Sequence, residues 1–261
     1  MVSDNLSALY EKLPSGVKLV AVSKFHPVSR LMEAYAAGQR LFGENRPQEL
    51  AQKVPLMPSD VEWHFIGHLQ TNKLKLVLPY VSLVQSVDSF HLLEAIDKWG
   101  RDNDKVVDIL LELHLGAEET KHGFSEEEIL SIIGAGEGIC PETVAPRPLP
   151  PQAAGPSLLC GRGWPQVSGQ TPSPAGVKPS QDHIRIRGLM GMATNTEDEA
   201  VIETDFARIE ALFKRVRAEH PELADTFTEL SIGMSGDWPV AVRHGATMVR
   251  IGTDIFGARE Y

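Results

Sequence analysis

Short apolar runs alternate with helix-like segments along almost the whole 261-residue chain. Eight apolar runs lie at 17–22, 40–43, 62–66, 81–87, 106–113, 184–190, 227–232 and 247–251. Segments with helical periodicity lie at about 3–12, 28–37, 46–53, 70–77, 89–101, 125–134, 197–219 and 237–244. Repeated strand–helix units form parallel sheets, and eight of them close naturally into a barrel. The sequence therefore predicts a single-domain (β/α)8 TIM barrel, residues 1–261, with an extra N-terminal helix.

Capping residues stand where three of these helices should begin. Ser89 is a favourable N-cap, and Ser125 with Glu128 three residues later has the pattern of a capping box. Pro47 suits an early helical position. The runs VVDILLEL and VKLVAV are apolar nearly throughout, as expected for barrel strands that are covered on both faces.

One segment, at about 136–180, breaks the alternation. It holds ten of the chain's 18 prolines and seven glycines, and this composition favours neither a helix nor a strand. We interpret it as a mostly disordered insertion between the fifth helix and the sixth strand, with a functional lid as the alternative. Because it follows a helix and precedes a strand, we expect it on the face opposite the loops that carry chemistry.

Charge and composition exclude several classes of partner. The formal net charge is −10 and the pI is about 5.4, so no basic surface is expected for nucleic acid or for an anionic membrane. The N-terminus lacks the pattern of a secretory signal, and no apolar stretch reaches the roughly 18 residues of a membrane span. A cytoplasmic protein is expected.

No metal site is expected from residue spacing. Two cysteines are present, and both fall in the Pro/Gly-rich segment. The sequence offers three candidate pairs, which are Cys140 with Cys160, His68 with Lys73, and His114 with His122. None of them has the spacing of a metal motif or of a disulfide framework.

Lys24 ends the first apolar run, so its amine would lie at the tip of a buried strand. An ordinary strand-end lysine points its amine into water, and that alternative holds for Lys24 taken alone. At the far end of the chain, Ser235 and Gly236 follow the seventh strand and precede a helix, while Gly252 and Thr253 follow the eighth. Barrels of this kind often grip phosphate with these two loops, although Ser235 is also a plausible N-cap.

Barrel closure would bring the first strand next to the eighth. A lysine amine beside a phosphate cradle meets the requirements for holding pyridoxal 5′-phosphate (PLP) as an internal Schiff base. Arg250 is expected to point into the same barrel mouth. Its guanidinium keeps its proton at neutral pH, so beside the ring nitrogen it would donate a hydrogen bond and make the ring a weak electron sink.

Two further polar residues are candidates for the mouth of the barrel. Asn45 follows the second strand, and His64 lies within the third. Each has an ordinary structural alternative. Asn45 could cap the helix that begins near Pro47, and His64 could be a hydrogen-bonded core residue.

Six strings of the sequence carry a family resemblance. They are AVSKFHP (21–27), FGENRPQE (42–49), WHFIGHLQTNK (63–73), ETKHGF (119–124), RGLMGMAT (187–194) and SIGMSGDWPVAVRHGATMVRIGTDIFGARE (231–260). Together they resemble the pyridoxal phosphate homeostasis protein family, whose members are similar to the N-terminal barrel of alanine racemase. The match spans the chain outside 136–180, where relatives have a much shorter loop.

The resemblance implies roles for seven of the candidate residues. Lys24 would be the Schiff-base lysine, Arg250 would face the pyridine nitrogen, and Asn45 would border the cofactor. The phosphate would be held by Ser235, Gly252 and Thr253. Met192 would lie in a loop beside the ring.

Three functions compete on the sequence alone. The first, which the resemblance also implies, is a non-catalytic carrier that serves PLP homeostasis by supplying PLP-dependent apoenzymes, and it is expected to be a monomer. The second is an amino-acid racemase, which needs a proton carrier on each face of the substrate. In alanine racemases one carrier is a tyrosine placed with the help of a second domain, which we do not expect after Tyr261, although weak racemase activity stays open. A barrel without any ligand is the third.

Overall fold

A computed structural model describes residues 1–116, 122–134 and 183–257. Within them, eight parallel strands form a closed barrel in the order of the chain. The strands are β1 Lys18–Val22, β2 Leu41–Glu44, β3 Glu62–Phe65, β4 Leu83–Val87, β5 Val107–Leu113, β6 Ile184–Gly191, β7 Glu229–Ser231 and β8 Met248–Ile251. The predicted (β/α)8 barrel is confirmed.

Helices follow the strands around the outside of the barrel. They are α1 Val2–Lys12, α2 Val28–Ala36, α3 Pro47–Lys53, α4 Leu74–Val77, α5 Phe90–Asp102, α6 Glu126–Gly134, α7 Glu199–Glu219, α8 Trp238–Arg243 and α9 Thr253–Phe256. Short 3-10 turns cover 54–56, 71–73 and 221–223. The segment predicted at 70–77 is thus a 3-10 turn followed by α4, and α9 is not expected from the sequence.

The elements on either side of the predicted insertion, α6 and β6, lie where the sequence places them. The insertion itself, at about 136–180, lies outside the described residues.

The capping predictions are confirmed. The Ser89 side chain accepts from the Leu92 amide, and Ser125 and Glu128 each bind the backbone amide of the other.

Barrel closure joins the two ends of the chain. β1 pairs with β2 on one side and with β8 on the other, and Val20 is opposite Arg250 in this pairing. The loops after β1 and β8 are therefore neighbours, as predicted. The extra helix α1 buries Val2, Leu6 and Leu9 on one face.

The barrel interior changes from apolar to polar along the strands. An inner cluster is formed by Val20, Leu83, Leu110, Met190 and Met248. Two residues further on, at positions of the same facing, three of these strands carry Gln85, Glu112 and Arg250, all of them buried. The polar end is the end at which strands deliver functional side chains.

Among the described residues, no helix combines the length and apolar character needed to cross a membrane.

Candidate functional site

A cavity of about 240 Å³ opens at the carboxyl ends of the strands. Its walls are Val22, Lys24, His26, Asn45, Ile66, Met192, Met234, Ser235, Gly236, Arg250, Gly252, Thr253 and Gly257. Eight of the nine residues predicted for a site are in this lining, and His64 is not. Barrels of this class keep their active sites at this face.

Lys24 lies two residues beyond the end of β1 and is half-buried in the cavity wall. The next residue, Phe25, has a φ of 66°, in the left-handed region that few non-glycine residues adopt. Its amide donates to Glu49 Oε2 at 2.9 Å, and the Arg46 guanidinium lies over its ring at 4.2 Å. Such conformations persist where the surroundings over-determine them, often at functional sites. Here the conformation turns the chain directly after Lys24.

A buried ion cluster supports the loop after β1. Lys53 Nζ donates to the Ser23 carbonyl at 2.9 Å, to Glu44 Oε1 at 2.7 Å and to Glu49 Oε2 at 3.0 Å. Ser23 Oγ also donates to Glu44 Oε1, at 2.6 Å. Burial raises the pKa of the Glu44 carboxyl, although Lys53 and Ser23 oppose the rise. The cluster fixes the residues on both sides of the cavity lysine.

The turn after β7 places Ser235 and Gly236 in the cavity wall. The helix α8 begins at Trp238 with Asp237 at the N-cap position, so the alternative that Ser235 is the N-cap is wrong. Asp237 closes the turn by accepting from the Met234 amide through Oδ1. A Cβ added at Gly236 would meet no atom within 4 Å, so the space beside this backbone is open to a ligand.

The turn after β8 contributes Gly252 and Thr253 to the same wall. A Cβ at Gly252 would lie 3.2 Å from the Val22 carbonyl oxygen and 3.3 Å from the Val22 Cβ. The missing side chain of Gly252 therefore lets β8 lie close to β1 without crowding Val22. Thr253 is exposed and begins α9.

Asn45 presents a buried oxygen that has no hydrogen-bond partner. Its Oδ1 is shielded from solvent and accepts from none of the described residues. The N-cap of α3 is Arg46 and no side chain caps this helix, so the alternative that Asn45 is the cap is wrong. Buried acceptors normally have donors. Asn45 Oδ1 is thus an acceptor in the cavity wall for which the described residues supply no donor.

Arg250 is held firmly from the interior of the barrel. Its Nη1 donates to the Ser231 carbonyl at 2.8 Å and to Ser231 Oγ at 2.7 Å, and Nη2 donates to the Gly191 carbonyl at 2.9 Å. Burial lowers the pKa of Arg250 to about 10, against the opposing effect of Glu112 and Asp237. The guanidinium therefore stays protonated at neutral pH while it lines the cavity.

His64 is a core residue of β3 and not a wall residue. Its Nδ1 accepts from Gln85 Nε2 at 2.8 Å, and Gln85 Oε1 accepts from Ser231 Oγ at 2.7 Å. Burial, with a smaller effect of Lys18, lowers the pKa of His64 to about 3. The core alternative stated for His64 is thus the one that the structure favours. The residue still reaches Arg250 indirectly, through Gln85 and Ser231.

The sequence predicts most of the residues that line the cavity, but it does not predict the residues that hold them in place. His26, which stacks on Phe256 with 4.8 Å between ring centroids, lines the cavity without having been expected. Lys53 and Gln85 find their partners only in the fold. One signal was available: Glu44 and Gln85 are polar residues inside buried strands, and such residues need a partner.

Comparison with known proteins points to one family. Residues 1–144 match the family model of the alanine racemase N-terminal domain. The whole chain aligns with 97% of the pyridoxal phosphate homeostasis protein of Haemophilus influenzae at 31% identity. A protein of the same name from Escherichia coli is also 31% identical, over 100% of this chain and 94% of the relative.

Solved structures agree with this assignment. PipY of Synechococcus elongatus PCC7942 is 30% identical, and its structures with and without bound PLP superpose with TM-scores of 0.75 and 0.78. The match covers 98% of this chain and 100% of PipY. An alanine racemase from Corynebacterium glutamicum, at 13% identity and a TM-score of 0.67, shares the fold over 61% of its length.

Proposed function

This chain belongs to the pyridoxal phosphate homeostasis protein family, and we propose that it binds PLP in the cavity at the carboxyl ends of its strands, as a carrier that stores and delivers the cofactor. One observation carries the placement of the site. Lys24 and the two turns predicted to hold phosphate, more than two hundred residues apart in the sequence, line a single cavity. In the same wall, the buried Oδ1 of Asn45 has no partner.

Lys24 is the residue proposed to hold the cofactor covalently. Its Nζ attacks the aldehyde carbon, a carbon–nitrogen bond forms and water leaves, so that the product is a Schiff base. The backbone of Lys24 is fixed on one side by the Lys53 bond to the Ser23 carbonyl and on the other by the Glu49 bond to the Phe25 amide. Fixed flanking bonds limit the positions that the amine can take, which favours one geometry of attachment.

The phosphate is proposed to lie between the turns after β7 and β8. Ser235 and Thr253 offer hydroxyl groups, and the backbone amides of Gly236 and Gly252 can approach an anion without a side chain in the way. The open space beside Gly236 fits this role. Asn45 and Met192, which line the same cavity, are proposed to border the ring.

Arg250 is proposed to face the pyridine nitrogen. A protonated guanidinium donates a hydrogen bond there and does not give up its proton. When bound, PLP supplies an electron sink for chemistry at an amino-acid α-carbon, and a ring nitrogen left unprotonated weakens that sink. This property favours storage over catalysis.

We propose that the protein is not a racemase. Racemisation needs proton carriers on both faces of the substrate. Among the described wall residues, His26 is the side chain besides Lys24 of the type that usually carries protons, and it packs against Phe256. The wall residues that the structure describes include no tyrosine.

Incubation of the PLP-loaded protein with L- or D-alanine, followed by chiral analysis, separates carrier from racemase. We expect no interconversion above that of free PLP. Racemisation that disappears in Lys24→Ala would contradict the non-catalytic role.

Delivery is tested by mixing the loaded, desalted protein with the apo form of a PLP-dependent aminotransferase. We expect transaminase activity to return, and we expect no return when Lys24→Ala has passed through the same loading and desalting. An apoenzyme that stays inactive beside loaded wild-type protein would count against delivery.

We further propose a cytoplasmic monomer that binds neither nucleic acid nor membrane. The net charge of −10 disfavours polyanionic partners. Light scattering during gel filtration checks the monomer, for which we expect a mass near 28.6 kDa.

A further inference from the structure

Three side chains of metal-ligating type meet outside the cavity. His68 follows β3, Asp88 directly follows β4, and His122 lies in the segment after β5. Their ligand atoms all lie within 4.8 Å of one another. All three stand at the carboxyl ends of neighbouring strands, and none belongs to the cavity wall described above.

The carboxylate at the centre of this group is buried and faces the two imidazoles. Asp88 Oδ2 lies 2.7 Å from His68 Nδ1 and 4.0 Å from His122 Nδ1, and the Asp88 side chain is 4% exposed. In the described part of the chain, no lysine or arginine pairs with Asp88. A buried carboxylate is costly unless a cation or several donors compensate it.

The backbone that carries the two histidines is ordered by its own contacts. Ser86 Oγ donates to the Gly67 carbonyl at 2.5 Å, directly before the first histidine. After the second, Gly123 has a φ of 124°, and the buried Phe124 donates through its amide to the Glu112 carbonyl at 2.8 Å. Ligands on a fixed backbone bind a metal without ordering a loop first.

We propose that His68, Asp88 and His122 bind a divalent transition-metal ion of the zinc type. Two imidazole nitrogens and one carboxylate oxygen suit Zn²⁺ and its first-row neighbours, and poorly suit Ca²⁺ or Mg²⁺. Three protein ligands leave at least one coordination position for water or another small ligand, as in catalytic zinc sites.

The geometry requires two adjustments. The 2.7 Å contact between Asp88 Oδ2 and His68 Nδ1 must lengthen, because two ligand atoms about 2 Å from a tetrahedral metal lie roughly 3.3 Å apart. Bonds from the metal to nitrogen or oxygen are about 2 Å long, so the ligand atoms must come within about 4 Å of one another. The His122 side chain is 65% exposed, and its ring stacks on that of His68 with 4.5 Å between centroids. A rotation of this exposed ring closes the site.

Residue spacing could not reveal this group. The sequence pairs His68 with Lys73 and His114 with His122, and neither pair has metal-ligand spacing. The three ligands come from three different loops, which the pairing of β3 with β4 and of β4 with β5 brings together. The sequence predicts no metal site, and the site proposed here departs from that prediction.

Calorimetric titration of the untagged, full-length protein with Zn²⁺, after dialysis against a chelator, tests the site. We expect one Zn²⁺ per chain, with two imidazoles seen at the zinc X-ray absorption edge. His68→Gln, His122→Gln and Asp88→Asn should each weaken binding at least tenfold, because even a lost outer partner of a ligand costs roughly 10–100-fold.

The matched control is His220→Gln. His220 Nδ1 also contacts a carboxylate, Glu222 Oε1 at 2.9 Å, but it lies far from β3–β5 at the end of α7. It should keep wild-type affinity. The double variant His68→Gln/His122→Gln changes only exposed side chains and so avoids a folding defect from Asp88. Absence of stoichiometric Zn²⁺ binding in the wild type, or unchanged affinity in this double variant, would overturn the proposal.

Discussion

Lys53 is the residue on which the geometry behind the cavity lysine depends. Its ammonium is nearly buried and compensates the fully buried Glu44 and the partly buried Glu49. Burying such charges costs free energy that close contacts and hydrogen bonds must offset. The buried ammonium also fixes the position of the residue before Lys24, because it donates to the Ser23 carbonyl.

Replacing Lys53 by methionine should lower the free energy of unfolding by about 3 kcal/mol, since it leaves a buried carboxylate without its cation. The loss should grow with pH. Burial already raises the pKa of Glu44, and without the ammonium that carboxyl can escape the cost at low pH by taking a proton. Urea unfolding at several pH values measures the effect.

The matched control is the double variant Glu44→Gln/Lys53→Met, which removes both charges. We expect it to recover most of the lost stability and yet to bind PLP more weakly than wild type, because the Ser23 carbonyl has lost the Lys53 donor and keeps only the His26 amide. Equal stability of the single and double variants would show that the pairing is unimportant.

The chain of donors from Arg250 to His64 has one direction. Arg250 donates to Ser231, Ser231 donates to Gln85, and Gln85 donates to Nδ1 of His64. A protonated His64 would carry a hydrogen on Nδ1 and would meet the Gln85 amide donor. The chain therefore requires a neutral imidazole, in agreement with the pKa that burial lowers to about 3.

The requirement for a neutral His64 determines the direction in which the free energy of unfolding changes with pH. The folded pKa of His64 lies below the unfolded value of 6.5, so its contribution is complete above pH 6.5 and is lost as pH falls toward 3. Between pH 6.5 and 5 the loss from this group should be about 2 kcal/mol. The non-titrating His64→Gln should unfold with a shallower pH dependence, measured by urea titration.

The control for this prediction is His91→Gln, which removes an exposed imidazole on α5. It should keep the wild-type pH dependence. If His64→Gln also keeps the wild-type pH dependence, His64 is not a buried neutral imidazole. The donor directions assigned from Arg250 to His64 would then be wrong.

At the level of single residues, the sequence predicts what lies next to a recognisable pattern. Ser235 and Gly252 follow apolar runs near the C-terminus, and Lys24 ends one near the N-terminus, so all three could be placed at strand ends. In the sequence, Lys53 has the features of an ordinary surface residue of helix α3. Its partner Glu44 is nine positions away on a different element, and no local rule links them.

Among the elements, β6 contains a bulge that one glycine makes possible. The register between β5 and β6 shifts so that Leu110 is opposite Gly188, while Ile109 is opposite Ile186. Gly188 has a φ of 151°, and a Cβ placed there would lie 1.7 Å from the Glu229 carbonyl oxygen on β7. No side chain fits between these strands, so the bulge needs glycine.

Gly188→Ala should therefore destabilise the barrel severely, by about 3 kcal/mol or more, because left-handed strain and a backbone clash add together. Expression as soluble protein and thermal unfolding measure this. PLP binding should fall with it, since β6 supplies the Gly191 carbonyl that holds Arg250.

Gly134→Ala is the control, because a Cβ at Gly134 would meet nothing within 4 Å. It should melt within a degree or two of wild type. A Gly188→Ala variant as stable as this control would mean that β6 does not carry the bulge.

Strand positions were predictable to within about two residues, because strands buried on both faces are continuous apolar runs. Short elements were not. The helix α9 has four residues, too few to show a period, and the 70–77 segment divides into a 3-10 turn and α4. The bulge at Gly188 was also invisible, since a glycine inside an apolar run has several explanations.

For the whole molecule, the count of eight strand–helix units was enough to predict closure, and closure places the first and last strands side by side. That single topological step brings Lys24 to Gly252 across most of the chain length. The metal-ligating group of His68, Asp88 and His122 depends instead on the pairing of β3, β4 and β5, and no sequence motif predicts it. The sequence thus predicts the cavity, while the outlying His68 group and the supports become visible only in three dimensions.

Covalent attachment of PLP to Lys24 is the central proposal for this protein, and borohydride trapping tests it directly. The protein is loaded with PLP, desalted, reduced with borohydride, digested and analysed by mass spectrometry. We predict a phosphopyridoxyl group on the peptide that contains Lys24, and no trapped cofactor in Lys24→Ala. A reduced adduct on another lysine, or equal labelling of the two proteins, would contradict the account.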